Sequence, residues 1–196
     1  MWVKKYLRHF LLVAIGFIGK QAVADEGWST IVKNVKAISI NVEGQTAASG
    51  STRAQISNDG RFVVFFSSAK DLIEGDTSNY TRFAQPFDYT DIFIYDSEAQ
   101  EGTNPIQRIS FDKNDSTKGG NGSSYNPAIS ADGRYVVFES AADNLGDFTI
   151  MSNPFGLKYH NIFLYDRQAT PGEDRIKLIS SVGRNQSGNA GSSGRR

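Results

Sequence analysis

The stretch 129-ISADGRYVVFES-140 has a near copy upstream, 56-ISNDGRFVVFFS-67. Ile56 pairs with Ile129, an offset of 73 in the numbering. At that offset Ser57, Asp59, Gly60, Arg61, Val63, Val64, Phe65, Ser67, Ala69 and Leu72 all meet identical partners. Further out, 91-DIFIYD-96 matches 161-NIFLYD-166 at an offset of 70. Ile109-Ser110 matches Ile179-Ser180 and, more loosely, Ile38-Ser39. The segments keep their order while their spacing changes slightly, so the chain is a repeat whose length changes fall in loops.

Each copy reads as β-structure. Tyr135-Val136-Val137-Phe138 is β-branched and aromatic, and too short for a helix. Asp-Gly at 59–60 and 132–133 precedes this run, and glycine takes the positive φ that a tight hairpin needs. Ala128–Ser130 and Arg134–Ser140 are therefore a hairpin, Asn161–Asp166 a third strand and Ile176–Val182 a fourth. In the upstream copy Phe62, Val64 and Phe66 point one way, Val63 and Phe65 the other, so the strand is apolar on both faces and must be covered on both. Sheets stacked on sheets in series satisfy that requirement.

The pattern I-S-x-D-G-R-[FY]-V-V-F-x-S, then [DN]-I-F-x-Y-D, then [RK]-[IL]-[IS]-S resembles the WD40-like PD40 repeat of TolB-type β-propellers. The resemblance covers about residues 35–182. It implies an all-β fold, a partial β-propeller of two four-stranded antiparallel blades, with the first strand of each blade nearest the channel. An extra N-terminal strand at Val35–Val42 and a preceding signal-peptide helix complete the expected architecture. The expected organisation is residues 1–24 as signal peptide, 25–34 as linker, 35–182 as the propeller segment and 183–196 as a Gly/Ser-rich tail cut before a third blade. A propeller needs about four to eight blades, so two blades read as a fragment, a truncated reading frame or a protomer completed by other copies. Losing several hundred Å² of apolar burial on open faces forfeits on the order of 10 kcal/mol, comparable with a domain's net stability. The expectation is a marginal or self-associating chain, joined through open blade edges.

The 21 basic and 21 acidic residues balance. Lys4, Lys5, Arg8 and Lys20 fall in the segment 1–24, which holds no acid, so the remainder is mildly acidic and lacks a nucleic-acid footprint. The same segment carries a basic start, the apolar run Phe10–Ile18 and the A-x-A site Ala22-Val23-Ala24, the pattern of a signal peptide. That predicts a periplasmic or secreted product starting at Asp25 with no membrane span after cleavage; an uncleaved anchor is the alternative. The chain has no cysteine, which excludes disulfides, thiolate metal sites and a thiol nucleophile.

Strand order places two long loops, Ser68–Thr90 and Ala141–His160, and the links between copies at one end of the repeats. Loops of this length are functional or disordered in compact domains. Their aromatics, Tyr80, Phe83, Phe87 and Tyr89 in one and Phe148, Phe155 and Tyr159 in the other, either anchor a partner or fold back as a small core. Asp71, Glu74 and Asp76, with Asp143, Asn144 and Asp147, offer oxygen ligands that suit calcium. Capping of turns explains them equally well. Asp59, Gly60, Arg61 and their partners Asp132, Gly133 and Arg134 read as structural, in the turn or between blades, and Asp96 and Asp166 as turn-closing. Catalysis finds little support. His160 is the only histidine beyond the leader-like segment, and there is no G-x-S-x-G elbow, GxGxxG or P-loop.

The expected function is a non-enzymatic exported module that binds a protein or a cell-envelope glycan through its long loops, with calcium as its one candidate cofactor. The alternatives are a propeller remnant of an exported hydrolase and a non-functional truncated fragment.

Overall fold

The computed structural model describes residues 35–76, 81–82, 85–86, 89–156, 158–170, 174–182 and 186–188. The signal-like segment, Tyr80, Phe83, Phe87 and most of the tail lie outside them. The described residues form strands and no helix. In chain order these are β1 (Ser51–Ile56), β2 (Phe62–Ser67), β3 (Thr81–Arg82), β4 (Gln85–Pro86), β5 (Asp91–Asp96), β6 (Ile106–Arg108), β7 (Phe111–Asp112), β8 (Asp115–Gly119), β9 (Ser124–Ile129), β10 (Tyr135–Ser140), β11 (Asn161–Asp166) and β12 (Ile176–Leu178). They make two separate four-stranded antiparallel meanders, ordered β1-β2-β5-β6 and β9-β10-β11-β12. The pairs β3–β4 and β7–β8 are small hairpins in the connections.

The repeated residues do the same work twice. In each Asp-Gly turn a serine hydroxyl donates to the aspartate at 2.5 Å: Ser57 to Asp59 and Ser130 to Asp132. The same aspartate accepts the backbone N–H of Arg61 or Arg134 at 3.0 Å. The serine oxygen in turn accepts the N–H of Phe62 or Tyr135. Gly60 and Gly133 close the turns at φ 79° and 70°, which a residue with a Cβ adopts only at a cost.

Arg61 and Arg134 then reach across the sheet to the end of the third strand. Each grips its aspartate with two parallel bonds, Arg61 to Asp96 at 2.8 and 2.8 Å, Arg134 to Asp166 at 3.0 and 2.9 Å. Planar guanidinium and carboxylate match in this fork geometry. The arginines therefore tie the turn to the next strand within one sheet. Asp96 and Asp166 also accept the N–H of Glu98 and Gln168 and so cap their own turns.

Buried aromatics are duplicated as well. Phe65 stacks on Phe93, and Phe138 on Phe163, both at 5.8 Å and 22°. Alternation along β2 sends Phe62 and Val64 into a core shared with Val136, Phe138, Phe163, Tyr165 and Ile176 of the second sheet. Val63 and Phe65 join the opposite face with Phe93, Tyr95 and Ile106, under Ile38. The two-faced apolar strand is thus covered on both sides. The sheets are also hydrogen-bonded to one another: Asn58 N–H donates to Ala131 O at 2.9 Å, and Ser124 N–H to Thr90 O at 2.8 Å.

Three expected strands come out differently. The one expected over Ala128–Ser130 runs from Ser124 to Ile129. Residues 35–42 form no ladder; only a bridge between Ile40 and Thr46 is present. A fourth strand needs a third to pair with, and among the described residues no strand precedes it. Ile38 is nevertheless 4 % exposed, packed into the cluster of Val63, Phe65 and Tyr95. The strand expected over Ile176–Val182 stops at Leu178: Ile179 N–H still bonds to Ile162 O, but the Ile162 N–H goes to the Ser180 hydroxyl instead of to the main chain.

Candidate binding face

Registers fix the two ends of each sheet. Phe62 faces Asp96 and Ser67 faces Asp91, so the Asp-Gly turns share one end with the β5–β6 and β11–β12 turns. The long loops and the links occupy the other, as strand order requires.

The links are built to one plan, three times. After each Ile-Ser pair the chain makes a small antiparallel turn-back: Ile40 with Thr46, Phe111 with Gly119, and Ser181 with Ser187. The serine carbonyl accepts each time, Ser39 from Ala47, Ser110 from Gly120 and Ser180 from Gly188. The first two links dock on the start of the following long loop. Val42 N–H donates to Asp71 O, and Lys113 N–H to Asn144 O.

This docking uses residues considered above as calcium ligands. Asp71 accepts from the side chain of Asn41 at 3.1 Å and from Ala48 N–H at 3.0 Å. In the second copy the chemistry is inverted: Asn144 donates to Asp112 at 2.8 Å and accepts from Asn121 N–H. Asp143 accepts from Asn121 at 2.6 Å and pairs with Lys158 at 2.5 Å. Burial pushes the Asp143 carboxyl up, but the bonds from Lys158 and Asn121 outweigh it and leave its pKa below the ordinary value. Asp147, exposed, pairs with Lys113. Asp76 is buried against Arg108 at 2.6 Å, with Asp91 at 3.6 Å from the same guanidinium nitrogen. Glu74 lies exposed in the loop. Among the described residues these carboxylates do not gather into a group of three that suits a metal ion; Asp71 holds a link, and Asp76, Asp143 and Asp147 pair with cations.

The loop aromatics divide. Phe148 folds inward against Phe163, ring centroids 5.7 Å apart, over Gly146, where a Cβ would stand 2.2 Å from its ring. Tyr89 and Tyr159 are half-buried. Phe155 does the opposite: it is 86 % exposed. It sits at the tip of the turn Asn153-Pro154-Phe155-Gly156, where Asn153 Oδ1 accepts the Phe155 N–H and Asn153 O accepts that of Gly156. A bridge between Ser152 and Lys158 closes the neck below it.

Just past that neck, His160 lines a groove of about 970 Å³ between β1 and β9, the first strands of the two sheets. Phe66, Tyr125 and His160 form a ladder there. Tyr125 meets Phe66 edge-on at 5.6 Å and lies parallel to His160 at 5.7 Å. Arg53, Gln55, Asn126 and Glu139 supply the polar wall, and Asn126 donates to the buried Glu139 carboxylate at 2.9 Å. Arg53 and Asn126 occupy the same repeat position and share an uncommon backbone, φ 52° and 50°. Each stands in a β-bulge, between Thr52 and Gln55 on β1 and between Tyr125 and Ala128 on β9. The extra residue bends the strand and turns these side chains toward the groove. Sequence reading passed over this wall, although Pro127 inside a strand pattern is a bulge signal and directly follows Asn126.

No protein-family model and no curated protein matches the chain. The resemblance to TolB-type repeats therefore rests on the repeat motif, and the all-β pair of four-stranded sheets is consistent with it.

Proposed function

We propose that the chain is a non-enzymatic, exported binding module, a segment of a TolB-type β-propeller, and that it takes a protein partner on its long-loop end. The observation that carries this reading is Phe155, an aromatic ring held out in water on a closed turn, in a chain that buries its other described phenylalanines at least in part. A stiff exposed ring loses little entropy on docking and brings a large apolar area. The adjacent groove adds acceptor, donor and cation chemistry in Glu139, Asn126 and Arg53. In the propeller reading, β1 and β9 are the channel-side strands, and the groove is the wall of that channel near its loop end. The leader-like segment 1–24 supports export.

The test is binding of the purified chain to solubilised envelope proteins and to isolated envelope glycan, read by co-sedimentation. Saturable binding to protein is expected, weakened at least tenfold by Phe155→Ser with an unchanged melting temperature. Retention on glycan alone would reassign the partner class. Equal binding by Phe155→Ser and by a Tyr125→Ala/His160→Ala variant would remove the proposed face.

A further inference from the structure

We infer that the outer face of the second sheet is an interface for a second copy of this chain, joined head to tail by the contact that already joins the two sheets within one chain. The face consists of Tyr135 and Val137 on β10, Ile162 and Leu164 on β11, and Ile179. At the same repeat positions the first sheet carries Phe62, Val64, Ile92, Ile94 and Ile109, all 0–4 % exposed beneath the second sheet. Residue type is kept position by position, but the cover is not. Tyr135, Val137, Ile162 and Leu164 are only half-buried, and Ile179 is 49 % exposed.

The internal contact shows what fits such a face. The Phe62 ring plugs a notch at Gly133, where a Cβ would lie 2.4 Å from a ring carbon. Arg61 flanks the ring at 4.7 Å. Tyr135 is the matching plug on the second sheet, with Arg134 at the same 4.7 Å. The matching notch is Gly60, and it is open: nothing lies within 4 Å of where its Cβ would be. Below Gly60 lie Val63, Phe65, Phe93, Tyr95 and Ile106, the counterparts of the residues that receive Phe62, each 0–2 % exposed beneath the chain's own cover, Ile38 included. One chain therefore carries a half-buried plug at one face and, at the other, a notch open at Gly60 above a covered floor.

Two features make the contact between chains weaker than the one within. Arg167 stacks on Phe62 at 3.9 Å, and its repeat counterpart is Ser97, which offers no such cover. Ile38, with Ala47, Ala54 and Ile73 beside it, also packs on the apolar floor below Gly60, so an incoming copy must displace this cover. A contact of this heterologous kind propagates, into a ring if the rotation closes and into an open stack if it does not.

Sedimentation velocity of the purified full chain over a hundredfold concentration range tests the inference. Species of two or more chains are expected at the upper end. Ile179→Lys should shift dissociation to at least tenfold higher concentration. So should Gly60→Asn, which fills the notch with a residue that tolerates positive φ. Tyr135→Ser repeats the plug test should Ile179→Lys melt early. An equimolar mixture of Ile179→Lys and Gly60→Asn should stop at a two-chain complex, since one intact plug meets one intact notch. A single-chain mass throughout, with the face capped by the chain's own segments, overturns the inference. So does association that Gly60→Asn leaves unchanged.

Discussion

Gly60 and Gly133 have the same sequence context, the same turn and nearly the same φ, yet they stand in different surroundings. Only Gly133 has a ring against it. Gly60→Ala therefore incurs the backbone cost alone, about 1 kcal/mol. Gly133→Ala adds the displacement of Phe62, and overpacking of this kind costs about 1–3 kcal/mol more. Chemical denaturation of the two variants should show that gap. Arg108 is a second place where the copies part. Its repeat counterpart is Leu178, Asp91 is replaced by Asn161, and the counterpart of buried Asp76 is exposed Asp147. Arg108→Leu alone removes the cationic partner of two buried carboxylates, Asp76 and Asp91, and should destabilise by about 3–5 kcal/mol. Combining it with Asp76→Asn and Asp91→Asn removes the buried charges, which the second sheet lacks at these positions, and should recover most of that loss in the same denaturation experiment.

Among the elements, the sheets were legible because local signals agreed. Asp-Gly marked both turns, β-branched and aromatic runs marked the second and third strands, and the boundaries of β11 came out residue for residue. The two-faced burial of Phe62–Phe66 was readable because no polar residue interrupts the run. The links were harder. Asn41-Val42-Glu43-Gly44 and Asp112-Lys113-Asn114-Asp115 have no residue in common at matching positions, so their common turn-back is invisible to motif reading. It is held by main-chain bonds, and by an Asn–Asp pair whose polarity is reversed between copies. The loop acids were ambiguous for the same reason, since a carboxylate that caps a turn and one that holds an ion have the same residue type. Their partners lie far along the chain, as with Asp71 and Asn41 or Asp143 and Asn121. The groove depends on bulges, which displace side chains by one position and which a period-of-two pattern hides. Removing a stacked ring tests how far each sheet stands alone. Phe138→Ala should cost about 3–5 kcal/mol by thermal or chemical denaturation, because its face is buried between both sheets.

For the whole molecule, the repeated aspartates set the response to acid. Asp96 and Asp166 are held below the ordinary value of 3.8, first by their arginine partners Arg61 and Arg134. Asp59 and Asp132 are held there by Ser57 and Ser130. A carboxyl with a depressed folded pKa contributes stability that is complete above its unfolded value and is lost as pH falls through the folded one. The melting temperature should therefore be flat down to about pH 5 and fall progressively below about pH 4. Asp96→Asn and Asp166→Asn together should flatten that fall, at the cost of a lower plateau.

Repeat, core and loop end all depend on the two copies being separate sheets packed face to face, with the ring of Phe62 against Gly133. Nuclear Overhauser spectroscopy, on labelled chain diluted into unlabelled chain, reads that contact within one molecule. Strong cross-peaks between the Phe62 ring protons and the Gly133 α-protons, together with an upfield-shifted Arg167 side chain, are the expected result. Their absence, or cross-strand backbone contacts pairing a β2 residue directly with β10 in one continuous sheet, would contradict it.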